Sequence, residues 1–354
     1  MMRRFAKPKQ LVVEEGSINT GLAHVLLGKL PQKKVVPAVK PADYSGYGPD
    51  TLILAEHRGS FVKPCPGTRG YICCGLKIIH FGLGCSINCT YCILQSYLDT
   101  RALVLFSNIE EGFKQVEEVL RCPGFDYRRF CTGEFTDSLL LEDMTGLGAR
   151  LVTMFARHKN ALLELKTKTD RVDSLCGLDH GGRSVVSFSV NAPAVAAKEE
   201  PGAASLKRRL AAAKRMVEEG YRVGFHFDPL IRHKGWKDGY ARIVADIFSA
   251  VPAESIIWIS LGAFRFLPPL KRIVARRHPL SRIMYDEFVY APDGKMRYFR
   301  PLRVEMYRYL SAQIKAADPE ACIYLCMENP RVWQEVFGFD PGPKGLIEML
   351  NQRV

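Results

Sequence analysis

Apolar positions along the chain follow two alternating periods. Short runs rich in β-branched and aromatic residues, Leu76–Phe81, Tyr127–Cys131, Ala161–Thr167, Val185–Val190, Val223–Phe227 and Ile256–Leu261, read as strands. Between them, apolar residues recur at helical spacing up to Leu120 and over Thr145–His158, Ser205–Glu219 and Gly239–Val251. Asn108-x-x-Glu111 has the form of a capping box at the head of the first helix, and Gly220 closes the third. Six strands alternating with helices predict a parallel α/β architecture, and the count fits an open, partial (β/α)6 barrel. Residues 1–75 read as an N-terminal α/β extension with one strand (Leu11–Val13), one short helix (Leu22–Leu30) and loops rich in Pro and Gly. The barrel is expected over 76–280. Over 281–354 the rhythm changes: Glu287–Arg300 reads as a β-hairpin turning at Asp293-Gly294, with helices packing on the barrel.

Composition narrows the class. A chain of 354 residues suits one barrel-sized domain with additions, and 47% hydrophobic with 25% charged residues is ordinary for a soluble protein. The basic start, Met1–Lys7, leads into Leu11-Val12-Val13-Glu14-Glu15 without an apolar core, so no signal peptide is expected. No run reaches the roughly 18 apolar residues of a membrane span. A cytoplasmic protein is expected, monomeric by default. The net charge of +13 favours polyanions, because each phosphate contact also releases counterions. Lys207-Arg208-Arg209 reads as a solvated helix face. Lys271-Arg272, Arg276-Arg277, and Arg297, Arg300 and Arg303 add to the basic total. The hairpin mixes aromatic and basic residues. That suits nucleic acid, and it equally suits a cap whose rings are core; both readings stay open.

Eleven cysteines are many for a reducing compartment, where metal binding or catalysis is a better use than disulfides. Cys85, Cys89 and Cys92 form a CxxxCxxC run. Three thiolates can hold three irons of a cubane cluster and leave the fourth open to a ligand, whereas clusters that only carry electrons normally have four Cys. A structural zinc site is the plainer alternative, but zinc favours paired CxxC knuckles and no second pair follows. Cys65, Cys73, Cys74, Cys122, Cys176, Cys322 and Cys326 show no ligand pattern and read as small buried apolar residues.

The run Gly84-Cys-Ser-Ile-Asn-Cys-Thr-Tyr-Cys resembles the signature of the radical S-adenosylmethionine (SAM) superfamily. That resemblance implies a [4Fe-4S] cluster on Cys85, Cys89 and Cys92 whose open iron chelates SAM, with Tyr91 near the adenine. Thr132-Gly133-Glu134, ending the second barrel strand, resembles the Gly-Gly-Glu motif that holds the SAM amino group. Cys131 then falls within a side chain's reach of SAM, where its weak S–H bond suits hydrogen donation to a carbon radical.

Taken with Cys131-Thr-Gly-Glu, Thr167-Lys168, Phe188-Ser189-Val190-Asn191 and Gly224-Phe-His-Phe-Asp-Pro-Leu-Ile, the chain is similar to the spore photoproduct lyase family over roughly residues 10–340. The resemblance implies a radical SAM lyase that repairs a thymine photoproduct in damaged duplex DNA, with a flavodoxin or ferredoxin as electron donor. By position, Gly133, Glu134, Lys168 and Ser189 would bind SAM, Cys131 would return hydrogen to the product, and the C-terminal hairpin would wedge open the DNA. The family's lyases usually place a second tyrosine after the last cluster Cys, as a hydrogen relay; this chain has Ile93. Tyr97 and Tyr298 are the candidate replacements, and Arg265 and Tyr298 the candidate lesion contacts. The competing readings are a radical SAM enzyme on another nucleic acid or nucleotide, a non-catalytic iron–sulfur sensor, and a zinc-stabilised nucleic-acid binder.

Overall fold

The computed structural model describes residues 8–30, 32–36, 41–68, 70–122 and 128–354. Met1–Lys7 and Tyr127, both used in the sequence reading, lie outside the described residues. The chain forms two compact units, one of residues 1–65, 76–88 and 94–184, the other of residues 66–75, 89–93 and 185–354.

In chain order the first unit contains β1 (Gln10–Glu14), α1 (Gly21–Lys29), β2 (Gln32–Val36), β3 (Thr51–Ala55), β4 (Val62–Pro64), β5 (Lys77–Ile79), β6 (Gly82–Leu83), α2 (Leu94–Tyr97), β7 (Leu103–Phe106), α3 (Ile109–Arg121), β8 (Arg128–Cys131), α4 (Glu142–Thr145), α5 (Leu147–Phe155) and β9 (Ala161–Thr167). One sheet runs β2-β1-β3-β7-β6. Its strands β2, β1, β3 and β7 are parallel, with Val12 opposite Ile53 and Ile53 opposite Val104, while β6 returns antiparallel to β7. All five residues of β3 are buried, as expected for a central parallel strand covered on both faces. The strands Gln32–Val36, Thr51–Ala55 and Val62–Pro64, in a segment expected to be loops, and Leu103–Phe106 were not anticipated; runs of three to five residues carry too little period to announce themselves. In the second run of strands β4 is antiparallel to β5, and β5, β8 and β9 are parallel, with Ile78 opposite Cys131 and Cys131 opposite Glu164.

Two local expectations change here. Helix 109–121 forms, but the Asn108 side chain does not cap it. Asn108 Oδ1 instead accepts from the His57 N–H (2.9 Å), and its amide donates to the His57 carbonyl and to Glu111 Oε2. The single helix expected over Thr145–His158 is broken at Gly146, whose φ of 63° ends α4 before α5 starts; that left-handed backbone costs glycine little.

The second unit contains β10 (Ser184–Ser189), α6 (Pro193–Glu199), α7 (Leu206–Glu218), β11 (Arg222–Leu230), α8 (Trp236–Ala250), β12 (Ile256–Ala263), β13 (Arg265–Phe266), α9 (Pro268–Arg277), β14 (Phe288–Tyr290), β15 (Met296–Tyr298), α10 (Arg300–Ala317), β16 (Ile323–Leu325), α11 (Pro330–Phe337) and α12 (Gly342–Asn351). Strands β10, β11, β12 and β16 are parallel neighbours in that order. Helix α7 starts where the sequence placed it, with the Ser205 side chain accepting from Arg208 N at 3.3 Å. The hairpin forms as β14 and β15, and β13 adds a third antiparallel strand. The core includes Trp258 and Trp333, both fully buried, and burying each large apolar side chain contributes about 1.5–3 kcal/mol. Among the described residues no helix is long and apolar enough to cross a membrane.

Candidate functional site

In the first unit the candidate residues gather where β8 and β9 end. Cys131 is the last residue of β8 and only 1% exposed. The Gly133 N–H donates to its sulfur at 3.3 Å. Burial pushes the thiol up to about 12, so at neutral pH the group is S–H and not thiolate. The loop after it is tied to the end of β9. Thr132 Oγ1 donates to Ser138 Oγ (2.7 Å), and Ser138 Oγ also accepts from Lys166 N (3.0 Å). Asp137 accepts from Thr167 Oγ1 (2.7 Å), from the Lys168 N–H (2.7 Å) and from the Leu139 N–H (3.1 Å). Burial raises its pKa despite these three donors. Glu134 faces Lys166 across 4.0 Å. Gly133, Glu134 and Lys168 thus stand on one braced strand-end platform with Cys131. Asp137, its central brace, was missed by sequence reading; an acid at the start of the loop's second half has no motif of its own.

In the second unit the chain from Cys89 to Cys92 turns with Cys92 N donating to Cys89 O at 3.1 Å. Two adjacent buried carboxylates hold this turn. Glu199 accepts from Thr90 Oγ1 and from Ser281 Oγ (2.8 Å), and its backbone carbonyl accepts from the Thr90 N–H (2.9 Å). Glu200 accepts from the Tyr91 hydroxyl and from Arg209. Arg209 also donates to the backbone carbonyls of Ala204 (2.8 Å) and Ser189 (2.6 Å). Burial and the Glu200 carboxylate push the Tyr91 phenol well up, so it holds its proton. Phe264 packs edge-on to the Tyr91 ring, centroids 6.3 Å apart.

Arg209 corrects the sequence reading. Lys207 and Arg208 are solvent-exposed as expected, but Arg209 is 1% exposed and paired inside the unit. The signal was present: Leu206, Arg209, Leu210, Ala213 and Met216 share the apolar stripe of α7. Arg297 and Arg303 also turn inward. Arg297 pairs with Asp293 (2.6 Å) and Arg303 with Glu328 (3.0 Å), so neither presents its charge to a partner. The seven remaining cysteines differ too: Cys74 and Cys322 are buried, Cys65, Cys73, Cys176 and Cys326 are half-buried, and Cys122 is exposed.

The hairpin divides by face. Tyr298 is fully buried and stacks on Phe288 with centroids 4.5 Å apart. Its oxygen accepts from the Arg232 N–H at 3.1 Å, and burial raises its pKa. Val289, Tyr290 and Phe299 are exposed. Tyr97 is 52% exposed at the end of α2. Arg265 lies 3.5 Å from both oxygens of Asp228, and Gly262 makes room for that carboxyl, since a Cβ there would stand 2.7 Å from it.

Cys85 belongs to the first unit, Cys89 and Cys92 to the second. Among the described residues no group of three His, Cys, Asp or Glu is gathered as a metal site. The donor chemistry itself, three soft thiols with two of them on an anchored turn, suits iron–sulfur ligation.

Comparison with known proteins gives one consistent answer. The family model described as spore photoproduct lyase matches residues 76–323. The chain is 29% identical over 212 residues to the spore photoproduct lyase of Bacillus subtilis, covering 59% of this chain and 62% of that protein. It is 21% identical over 253 residues to the corresponding protein of Clostridium acetobutylicum, covering 71% and 73%. The chain thus spans a little under two thirds of the Bacillus relative. Among solved structures, a spore photoproduct lyase complexed with dinucleoside spore photoproduct superposes with a TM-score of 0.80 at 23% identity, over 91% of this chain and 100% of that one. A mutant lyase with bound AdoMet and dinucleoside spore photoproduct gives 0.77 over 90% and 98%. At that identity the likeness is one of fold, and it bears out the α/β partial-barrel class.

Proposed function

The chain belongs to the spore photoproduct lyase family, and on that premise we propose that it is a radical SAM carbon–carbon lyase that repairs spore photoproduct in DNA. The observation that carries the reading is the family match over residues 76–323, which includes the CxxxCxxC run, the Cys131 strand end and Ser189. When bound at Cys85, Cys89 and Cys92, a [4Fe-4S] cluster with SAM on its open iron would supply the reductive cleavage that starts the reaction.

The chain's own groups have separate tasks. Glu200 and Arg209 fix the Tyr91 hydroxyl and with it the turn that carries two thiols. Gly133 and Glu134 would hold the methionyl part of SAM, Lys168 its carboxylate or ribose, and Ser189 the ribose hydroxyls. Cys131 keeps a hydrogen on sulfur, and its burial denies that hydrogen to solvent. The partners of this reading are damaged duplex DNA and a flavodoxin or ferredoxin that delivers electrons, met by a monomer in the cytoplasm. One observation favours a second reading, a radical SAM enzyme on another nucleic acid: Ile93 stands where the family's second tyrosine is expected.

An anaerobic reaction of reconstituted, reduced protein with SAM and DNA carrying spore photoproduct tests both readings. Restored thymine and 5′-deoxyadenosine are counted by mass spectrometry. Thymine that disappears in Cys131→Ala, with deoxyadenosine retained, supports the lyase. Deoxyadenosine without thymine in the wild type favours the second reading. Neither product, from protein with intact brown colour, leaves an iron–sulfur binding protein.

A further inference from the structure

A cleft of about 560 Å3 opens within the second unit, and four cations are among the residues that line it. Lys198 comes from α6, Arg232 and Lys234 from the loop before α8, and Arg282 from the segment before the hairpin. Two carboxylates share the cleft, and both are already committed. Glu199 is buried on Thr90 and Ser281, and Asp286 pairs with Arg232 at 3.0 Å. Lys198, Lys234 and Arg282 are exposed and have no carboxylate partner among the described residues. Their charge is uncompensated.

The wall is also aromatic. Tyr285 is 60% exposed, and two cations flank its ring, Lys271 at 5.3 Å and Arg282 at 5.7 Å from the centroid. Cation–π contact of this kind limits the wandering of long basic side chains, so Arg282 is presented to the cleft and not lost to solvent. Unpaired cations held on a concave surface fit a chain of phosphates. Arg forks match phosphate oxygens, and Lys adds point charge. The volume lies in the range that takes a nucleotide-sized group. An acidic peptide would call for backbone donors or a sheet edge, and none of the lining elements is a strand.

We propose that this cleft grips the sugar–phosphate backbone of the DNA substrate, with Lys198, Lys234 and Arg282 as phosphate contacts and Tyr285 as the support of Arg282. The proposal rests on the DNA-repair reading above and assigns to it a positioning surface, one that contacts phosphates and leaves sequence unread. Neutralising three phosphate contacts on B-form DNA lowers the slope of log affinity against log salt by about 2 to 3.

The test uses the whole protein, a fluorescein-labelled undamaged duplex and anisotropy titrations at several salt concentrations. Lys198→Ala/Lys234→Ala/Arg282→Ala is compared with Lys207→Ala/Arg208→Ala/Lys214→Ala. The second triple removes the same charge from the exposed face of α7. The expected result is a loss of at least about tenfold in affinity and a shallower salt slope in the cleft triple alone. Tyr285→Ala is expected to weaken binding less, in the same direction. Equal losses in both triples would mean that binding follows net charge and would overturn the cleft while leaving the DNA reading intact. A wild type that fails to bind duplex at low salt would overturn both.

Discussion

Cys131 and Tyr91 are both buried, both protonated at neutral pH, and both central to the proposed chemistry, yet they are held in opposite ways. The Cys131 platform is built from nearest neighbours. Thr132, Gly133, Asp137 and Ser138 follow it within one loop and meet the end of the adjacent strand, Lys166 to Lys168, through short neutral or backbone hydrogen bonds. The Tyr91 clamp is built from Glu200, 109 positions away, and its partner Arg209, and it is ionic, a carboxylate and a guanidinium both sealed from water. The first kind of site is stabilised by chain connectivity. The second depends on two charges that are tolerable only together, because an unpaired charge in a low-dielectric interior is strongly penalised.

Three experiments sharpen or break that contrast. The largest effect is expected at Cys131: with its thiol at about 12 against an ordinary 9.0, alkylation at pH 8 should run about a thousandfold slower than for an ordinary cysteine. Mass spectrometry of timed iodoacetamide reactions, with exposed Cys122 as internal reference, reads this directly. Rapid labelling of Cys131 would show that the platform is open.

Arg209→Met comes next. Leaving Glu200 buried without its partner should cost about 3–5 kcal/mol in denaturant unfolding, and adding Glu200→Gln should recover much of it. If the single variant is as stable as the parent, the clamp is not ionic in effect and the comparison fails.

The smallest expected effect lies in the first unit at His80. Burial, then His57 and Lys63, lower its pKa from 6.5 to about 3. It packs among His57, Phe106 and Phe135. A folded pKa below the unfolded one means that the unfolded chain takes up the proton first as pH falls, so stability is lost progressively below pH 6.5. Between pH 7 and pH 5 this amounts to about 2 kcal/mol. His80→Phe should flatten that part of the pH–stability curve; an unchanged curve would place the acid sensitivity elsewhere.

The two sites differ in legibility for the same reason that they differ in construction. Cys131, Gly133 and Glu134 could be read because a strand, its end and the following loop are contiguous. The order of the six barrel strands was readable too, since each carries its own apolar run. Leu103–Phe106 was missed because its identity as a strand comes from pairing with β3, residues 51–55. Arg209 was misread because its neighbours Lys207 and Arg208 dominate the local pattern, while its partner Glu200 belongs to the preceding loop. The hairpin was left open between two readings, and its side chains divide between inward and outward positions. Tyr298 and Arg297 face inward, while Tyr290 and Phe299 face out.

What the sequence by itself determined is whatever periodicity and spacing encode: the alternation of strands and helices, the triplet of thiols, the thiol at the strand end and the overall positive charge. Tertiary structure alone decided which charges are solvated and which are buried, and which side chains support a functional one. It sealed Arg209 against Glu200, turned Arg297 and Arg303 inward, and left Lys198, Lys234 and Arg282 around one cleft with no carboxylate partner among the described residues. The physical reason is that a charge's role depends on its desolvation and on partners brought close by folding, and neither is written in the few residues on either side.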